Sequence, residues 1–382
     1  MNSYKNTLTL NNLLKFIVNV FPDYPVIYKA PHGYEIRSTY REEYEHILRI
    51  ANALKSLGLG RGDRVATLDW NTIWHFRLYW AVPLMGAVLH QVNVRLSIED
   101  IIYIINKAED KVIIYHRDFS DIIEKIKNKL HNVRYYIQIP DGLEPKTSDM
   151  TIDELEKSGK AEPLPDVDED LIATINFTSG TTGKPKGAYF THKQHVIHAM
   201  ANAIVGSYKG FMRCECQEKL CKFLVLVPMF HVHAWGKPYS FGLQGVGQVY
   251  PGRFNTTHII KLIVEEEIKY MEGVPTILYM LLTDKTIETY REDIKKIRPI
   301  FTVGGAALPR ELAKKAEEYG FEVRVGYGMT VTAPVLLVNY LRPHENIPLS
   351  EEERYNFLTA TGLPIPLVDL MVVDENLNPV PR

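Results

Sequence analysis

The sequence has few cysteines, no long apolar run and almost no net charge. Only three of its 382 residues are cysteines, which excludes a disulfide-rich scaffold and fits a reducing compartment. No stretch approaches the roughly 20 apolar residues that a membrane-spanning helix needs, and the N-terminus lacks the pattern of a secretory signal. The formal net charge of −2 gives no electrostatic reason for binding nucleic acid. These absences predict a cytoplasmic protein with no membrane span and no nucleic-acid partner.

The chain is long and apolar enough to form large cores. Hydrophobic residues make up 46% of it, which is sufficient for two or three domains or subdomains. Short apolar segments at 64–68, 112–115 and 223–227 are typical of buried strands, and they alternate with amphipathic helices. Thr39 and Glu42 have the spacing of a capping box at the start of one helix. This alternation predicts an α/β fold with mostly parallel sheet.

Two stretches depart from that alternation. Residues 144–170 are polar and contain prolines, and we expect them to form a surface connection. Past residue 360 the sequence becomes rich in proline and valine in an alternating pattern, which suggests antiparallel β structure at 363–373.

Residues 178–187 are the most informative stretch. They combine three glycines, four hydroxyl side chains and two lysines, between a predicted buried strand at 171–177 and a predicted helix at 192–205. Glycines allow close backbone approach, amide N–H groups surround anions and lysines neutralise charge, so the composition favours a polyphosphate site over a solvated linker. The common P-loop is excluded, because Pro185 follows Lys184 where that motif has Ser or Thr. The candidate phosphate-binding residues are Thr178, Ser179, Gly180, Thr181, Thr182, Gly183, Lys184 and Lys186.

Two further glycine-rich segments follow later in the chain. Residues 326–330 come after a predicted strand, at the end where α/β folds commonly bind ligands. Their glycines let a flat group come close, Tyr327 offers a stacking face and Thr330 offers a hydroxyl to a phosphate. Residues 304–309 are similar, although a turn with proline at a helix start explains much of that pattern. Each segment alone is also compatible with a tight turn.

Clusters of cysteine and histidine suggest a metal site that their spacing does not favour. Three thiols without a fourth ligand fall short of zinc spacing, so a charged surface loop is preferred. Three histidines spaced by three on a predicted helix lack the i, i+4 pair with an acid that helical zinc sites use. His231 is better explained as a neighbour of a purine or an acyl group. The other residues concerned are Cys214, Cys216, Cys221, His192, His195, His198 and His233.

In their order along the chain, these motifs resemble those of the adenylate-forming superfamily of acyl-CoA synthetases, acyl-adenylating ligases and luciferases. The resemblance runs from GRGDRV at 60–65 to TGLP at 361–364. It includes PMFHVHAWGKPY at 228–239, EGVPT at 272–276 and the two segments above. The histidine–tryptophan stretch is most similar to medium- and long-chain fatty acyl-CoA synthetases.

The resemblance implies a fold. That fold is the large N-terminal domain of the family, with two mixed or parallel sheets flanked by helices and a distorted, incomplete β-barrel. It implies subdomains near 1–190, 191–330 and 331–382, and it leads us to expect that the family's C-terminal lid domain, with its catalytic lysine, is missing.

The resemblance also implies a reaction and its ligands. A carboxylic acid, by this resemblance a fatty acid, would react with ATP and Mg²⁺ to form acyl-AMP, and its acyl group would then be transferred to CoA. The resemblance also implies a homodimer formed through the N-terminal segment. The hydroxyl of Thr181 would help to hold Mg²⁺, and Thr330 would contact the α-phosphate. The implied adenine site is Gly305, Ala306, Val325, Gly326 and Tyr327, and the implied acyl site and gate are His231, Val232, Trp235 and Gly328.

Two positions depart from the family pattern. Val331 stands where the family has a magnesium-binding glutamate, which predicts weak or absent adenylation. Lys237 stands at a place that is usually apolar, and we expect it to extend along apolar surface to solvent, the alternative being a preference for short or polar-ended acyl groups. The rival functions are a non-catalytic nucleotide- or acyl-binding paralogue and a ligase for an aryl or other small acid.

Overall fold

The structure is a computed structural model that describes residues 7–178, 183–207, 220–339 and 349–380. Within these residues the strands are β1 Pro25–Lys29, β2 Glu35–Thr39, β3 Arg64–Leu68, β4 Val88–Gln91, β5 Val112–His116, β6 Tyr135–Ile139, β7 Met150–Thr151, β8 Ile172–Thr178, β9 Lys186–Thr191, β10 Lys222–Leu224, β11 Gly247–Tyr250, β12 Tyr270–Gly273, β13 Ile300–Val303, β14 Glu322–Gly328, β15 Val335–Val338 and β16 Leu363–Pro364.

The helices of the same residues lie between these strands. They are α1 Leu10–Val20, α2 Tyr40–Ser56, α3 Ile73–Leu84, α4 Ile98–Ala108, α5 Ser120–Ile126, α6 Ile152–Ser158, α7 His192–Ser207, α8 Val232–Trp235, α9 Lys237–Leu243, α10 Thr256–Glu265, α11 Pro275–Thr283, α12 Thr286–Thr289, α13 Arg291–Ile297, α14 Arg310–Glu318 and α15 Glu351–Thr359. None of the helices in the described part is both long and apolar enough to cross a bilayer.

The described strands form two sheets. One has the order β16-β15-β14-β13-β12-β10-β11-β1-β2, and the other has the order β7-β6-β5-β3-β4-β8-β9. Pairing is parallel in the middle of both sheets and antiparallel at β1–β2, β14–β15, β15–β16 and β8–β9. The predicted α/β fold with mostly parallel sheet is therefore confirmed. Where the resemblance implies an incomplete barrel, β15 and β16 continue the first sheet in antiparallel fashion.

Local sequence signals account for the helix starts. The predicted capping box is present at α2, where the backbone N–H of Thr39 donates to Glu42 Oε2 at 2.9 Å. The hydroxyl of Ser97 accepts from the backbone of Asp100 at the start of α4. Every residue of α3 is buried, as expected for a helix that is apolar on all sides and lies between layers.

The expectation that residues 144–170 form only a surface connection was wrong. This stretch contains β7, which adds to the edge of the second sheet, and α6, which packs on α2. Thr151 and Glu154 form a capping box, and Ile152 and Leu155 are buried. Two apolar residues suffice to anchor so short a helix. The stretch as a whole is mostly polar, so its composition did not indicate them.

The residues after the phosphate loop also differ from the prediction. Strand β9 comes before α7, and it pairs antiparallel with β8 with Thr178 opposite Lys186. The described residues on either side of 179–182 are therefore two paired antiparallel strands, rather than a strand followed directly by a helix. The alternation in KGAYFT at 186–191 is the strand signal that the sequence reading missed.

The C-terminal prediction holds only in part. Within 363–373, β structure is limited to β16 and an isolated bridge between Val373 and Pro379. Strand β15, which was not predicted, pairs with both β14 and β16. Cys221 is disulfide-bonded, and the other two cysteines lie outside the described residues, so the surface loop there stays a prediction.

A buried ion pair joins helices α2 and α3, which both pack on β1. Arg77 of α3 donates to both carboxylate oxygens of Glu43 of α2, at 2.8 and 2.9 Å, and both side chains are almost fully buried. Glu156 of α6 lies 3.6 Å from the same guanidinium. Removing one partner of such a pair leaves a buried charge uncompensated.

We therefore expect Glu43→Gln to lower the free energy of unfolding by about 3 kcal/mol, because Arg77 loses its bidentate partner. Chemical denaturation measures this loss. Glu45→Gln on the same helix is the matched control: its carboxylate faces solvent 3.4 Å from Arg49, and its loss should cost no more than about 0.5 kcal/mol. Equal losses for the two variants would contradict the account.

Candidate functional site

The carboxyl ends of three neighbouring parallel strands meet at one edge of the first sheet. Gly273 of β12 lies opposite Val303 of β13, which lies opposite Val325 of β14. Glycine lies at or directly after the end of each strand. Strand β12 ends at Gly273, β13 is followed by Gly304 and Gly305, and β14 ends at Gly328. An edge of this kind is where open α/β sheets bind ligands, because the chain leaves each strand there and exposes its backbone.

Two of these glycines are required by close contact. A Cβ on Gly304 would lie 2.8 Å from the ring of Trp235, and a Cβ on Gly328 would lie 2.1 Å from the carbonyl oxygen of Pro334. Gly305 has a φ of +77°, which disfavours any side chain. Packing within the protein therefore explains part of the glycine pattern that also suggested ligand approach. Residues 326–328 also belong to β14 rather than to a loop beyond it.

A cavity of about 230 Å³ opens at this edge, and we call it the inner cavity. All four predicted acyl-site residues line it, together with Gly305, Gly326, Tyr327 and Thr330 from the predicted nucleotide site. Its lining is His231, Val232, Trp235, Lys237, Glu272, Thr302, Gly304, Gly305, Gly326, Tyr327, Gly328, Met329, Thr330, Pro334, Val335 and Val338.

A second cavity, of about 550 Å³, is also lined by Trp235, and we call it the outer cavity. His231, Trp235 and Gly305 line both cavities. The remaining lining of the outer cavity includes Asn71, Arg95 and residues of α11. Trp235 thus stands at the boundary between two spaces, which is the position that a gate requires.

Trp235 belongs to a backbone turn of unusual handedness. The five residues 232–236 have φ values from +46° to +70°, and only the last is glycine. Left-handed conformation costs about 1–2 kcal/mol for each non-glycine residue, so the surrounding structure must hold this turn in place.

Buried imidazoles hold the turn from behind. His233 Nε2 lies 2.7 Å from Thr174 Oγ1, and His195 Nε2 of α7 lies 2.8 Å from the same hydroxyl. The backbone N–H of Val335 donates to His198 Nε2 at 3.2 Å. Burial lowers the pKa of His198 and of His233 to about 3, so both rings are neutral at physiological pH. Within the described ranges no three His, Cys, Asp or Glu side chains are placed to hold a metal ion.

Lys237 does not extend to solvent, so that expectation was wrong. Its ammonium group is buried, donates to Asn202 Oδ1 at 3.0 Å and lies 3.2 Å from Glu272 Oε1. Burial raises the pKa of the Glu272 carboxyl, while the nearby ammonium opposes that rise. The left-handed turn directs the start of α9 inward, toward β12. The anionic partner is 35 positions away in the sequence, and local pattern gave no sign of it.

The described ends of the phosphate loop lie apart from both cavities. Gly183 has a φ of +103°, and Lys184 Nζ lies 5.1 Å from the centre of the Tyr103 ring. Thr178 and Lys186 face each other at the base of the hairpin. Four of the predicted phosphate-binding residues lie outside the described residues: Ser179, Gly180, Thr181 and Thr182.

The other predicted residues divide into three groups. Val325 is buried in the core beneath the sheet edge, and Ala306 lines neither cavity. The side chain of Val331 is 69% exposed in the turn Thr330–Thr332 and offers no oxygen ligand. Thr181 lies outside the described part, so the magnesium contact predicted for it stays a prediction.

A family model and individual proteins of known sequence are similar to this chain. The family model described as AMP-binding enzyme matches residues 15–382. A long-chain-fatty-acid–CoA ligase of Thermus thermophilus is 37% identical over 388 residues, covering 100% of this chain and 69% of the relative. A medium-chain-fatty-acid–CoA ligase of Ectopseudomonas oleovorans is 31% identical, covering 97% of this chain and 67% of the relative.

Solved structures agree with the fold. The inhibitor-bound N-terminal domain of FACL13 from Mycobacterium tuberculosis superposes with a TM-score of 0.80 and 26% identity, covering 97% of this chain and 86% of that domain. An anthranilate CoA ligase bound to anthranoyl-AMP superposes with a TM-score of 0.81 at 19% identity, covering 98% and 67%. The two sheets flanked by helices thus have the fold of the N-terminal domain of adenylate-forming enzymes.

The glycines of β14 give a test of the packing at this edge. We expect Gly328→Ala to lower the free energy of unfolding by about 1–3 kcal/mol, because the added methyl group forces β14 away from Pro334. Gly326→Ala on the same strand is the control: its Cβ would lie 3.6 Å from Thr302, and the change should cost less than about 1 kcal/mol. Urea denaturation of both variants measures the difference. Similar losses would show that the close approach is not a constraint.

Proposed function

The chain belongs to the AMP-binding enzyme family, and on that premise we propose that it activates a carboxylic acid with ATP and transfers the acyl group to CoA. One observation supports this most strongly. The inner cavity joins the glycine-rich ends of β13 and β14 to the turn that carries Trp235, so one space connects the predicted nucleotide residues to the predicted acyl residues. A polyphosphate loop alone would not require that connection.

In this proposal the nucleotide lies along the sheet edge. Tyr327 is 42% exposed and lines the inner cavity together with Gly304 and Gly305, so its ring is available to stack on adenine. Thr330 follows Tyr327 closely and offers its hydroxyl to the α-phosphate. Val325 and Ala306 remain predicted neighbours of the adenine, although the side chain of Val325 packs in the core and Ala306 lines neither cavity.

The reaction has two balanced steps. An oxygen of the carboxylate attacks the α-phosphorus of ATP, the bond from that phosphorus to the bridging oxygen breaks, and pyrophosphate leaves. The thiolate of CoA then attacks the acyl carbon, and AMP leaves with the electron pair of the broken C–O bond. Amide groups and lysines of 178–187 would stabilise the negative charge on the phosphates. The acyl group would occupy the inner cavity, where apolar burial contributes about 0.8 kcal/mol per methylene.

A second function is favoured by Val331. A family member without that carboxylate could bind nucleotide and acid without joining them, because magnesium would lack a ligand that helps to stabilise the leaving pyrophosphate. Nucleotide binding without pyrophosphate release is the signature of this alternative.

Several finer statements belong to the same proposal. They are the use of Mg²⁺, a cytoplasmic location, subdomains near 1–190, 191–330 and 331–382, and a homodimer through the N-terminal segment. The exposed side chains of Phe16 and Val20 on α1 support the last of these, because apolar side chains at a surface favour association.

Exchange of radiolabelled pyrophosphate into ATP tests the function. With a panel of aliphatic and aryl acids, we expect slow acid-dependent exchange by this chain and a rise of about tenfold or more in Val331→Glu, which restores an oxygen ligand. Val331→Leu is the matched control, since it changes size without adding oxygen, and its rate should stay low.

Equal rates in all three proteins would show that Val331 does not limit the reaction. Absence of exchange with every acid, combined with AMP binding measured by calorimetry, would instead establish the non-catalytic alternative. Absence of both would reject the proposed function.

A further inference from the structure

The wall of the inner cavity contains a buried ion pair. Lys237 and Glu272 both line the cavity, both side chains are more than nine-tenths buried, and Lys237 Nζ lies 3.2 Å from Glu272 Oε1. Much of the remaining wall is apolar or glycine, including Val232, Val335 and Val338. Charges in such a wall lose their hydration, and a well-packed apolar pair would serve stability as well or better. The pair therefore calls for an explanation other than stability.

The lysine is held from the side of α7. Asn202 Oδ1 accepts from Lys237 Nζ at 3.0 Å, and Asn202 Nδ2 donates to the carbonyl oxygen of His198 at 2.9 Å. His198 in turn accepts from the backbone of Val335. This chain of bonds ties the ammonium group to α7 and β15, so its position is fixed before any ligand enters.

The glutamate is incompletely satisfied. Its Oε1 faces Lys237, whereas its Oε2 is buried and has no hydrogen-bond partner among the described residues. Buried polar atoms without partners are rare, and each calls for a missing donor. Glu272 lines the cavity, so a rotation of its carboxylate would turn Oε2 toward a donor on a molecule bound there.

The position of the pair limits the length of an acid. Glu272 lies opposite Thr302, which lies opposite Arg324, so the pair is two strands away from β14. Two strand spacings are about 10 Å. Thr330 and the ion pair line the same cavity, so an acid whose carboxylate lies near Thr330 would bring the far end of a short chain toward the ion pair, and a longer chain would meet two buried charges.

We propose that Lys237 and Glu272 make the inner cavity selective for short carboxylic acids that carry a hydroxyl group at the far end. This rests on the proposed function, whose acyl site it specifies. A hydroxyl group is both donor and acceptor: it donates to Glu272 Oε2 and accepts from the ammonium group of Lys237. A methyl end of the same size does neither, and a site built for a hydroxyl rejects such an analogue strongly.

Pairs of acids with equal numbers of non-hydrogen atoms test the proposal directly. The first pair is 4-hydroxybutyrate and pentanoate, and the second is 6-hydroxyhexanoate and heptanoate. Calorimetric titration of each acid into the whole chain, without nucleotide, measures the affinity of the acid independently of catalysis. We expect the hydroxy acid of the shorter pair to bind at least about tenfold more tightly than its partner, by the penalty for leaving a buried polar group unpaired.

A double variant tests the residues themselves. Lys237→Leu and Glu272→Ala are made together, because a single change would leave one buried charge uncompensated. Thermal unfolding confirms that the variant is folded. It should lose the preference for the hydroxy acid and bind heptanoate at least about tenfold more tightly than the natural chain does, because apolar burial replaces ion desolvation.

Each outcome bears on a separate statement. Tighter binding of pentanoate than of 4-hydroxybutyrate by the natural chain overturns the proposal without any variant. An unchanged preference in the double variant overturns the assignment to Lys237 and Glu272. Selective acid binding without pyrophosphate exchange supports the inference while rejecting the catalytic function, so the two failures are distinguishable.

Discussion

The alignment of three strand ends at one edge of the first sheet is the constraint on which the rest of the site depends. Parallel pairing brings the carboxyl ends of β12, β13 and β14 together, and the backbone leaves the sheet there through glycines. Gly304 makes room for the ring of Trp235, and Gly328 makes room for the chain at Pro334. These glycines let the predicted gate residue Trp235 and the chain at Pro334 pack against the strands that line the inner cavity.

The conformational strain of the site is concentrated in one short segment, which neighbouring side chains hold in place. Residues 232–236 adopt left-handed backbone conformation, and Thr174 with two neutral histidines holds them from behind. The same turn directs Lys237 inward onto Glu272. Strained backbone and buried charge next to a cavity indicate selection for a ligand rather than for stability, because neither feature strengthens the fold.

The sequence was sufficient for features that are local or that appear as ordered motifs. The strand at 64–68, the cap at Thr39 and the resemblance carried by 228–239 and 326–330 needed only neighbouring residues. Three features depended on contacts distant in sequence or on very few apolar residues. Helix α6 is anchored by two side chains, β9 is defined by its pairing with β8, and the pairing of Lys237 with Glu272 joins α9 to β12. Local periodicity in the sequence does not indicate contacts of this kind. For that reason Lys237, next to the predicted gate residue Trp235, was expected to extend to solvent.

The central claim is that one continuous space accepts the nucleotide and the acid. A crystal structure of the chain with a non-hydrolysable acyl-adenylate analogue, bearing a short hydroxyacyl group, tests this claim most directly. The account predicts adenine against Tyr327 and Gly305, the phosphate mimic near Thr330 and the acyl hydroxyl between Lys237 and Glu272. An analogue bound with its acyl group in the outer cavity, or away from the edge formed by β12, β13 and β14, would contradict it.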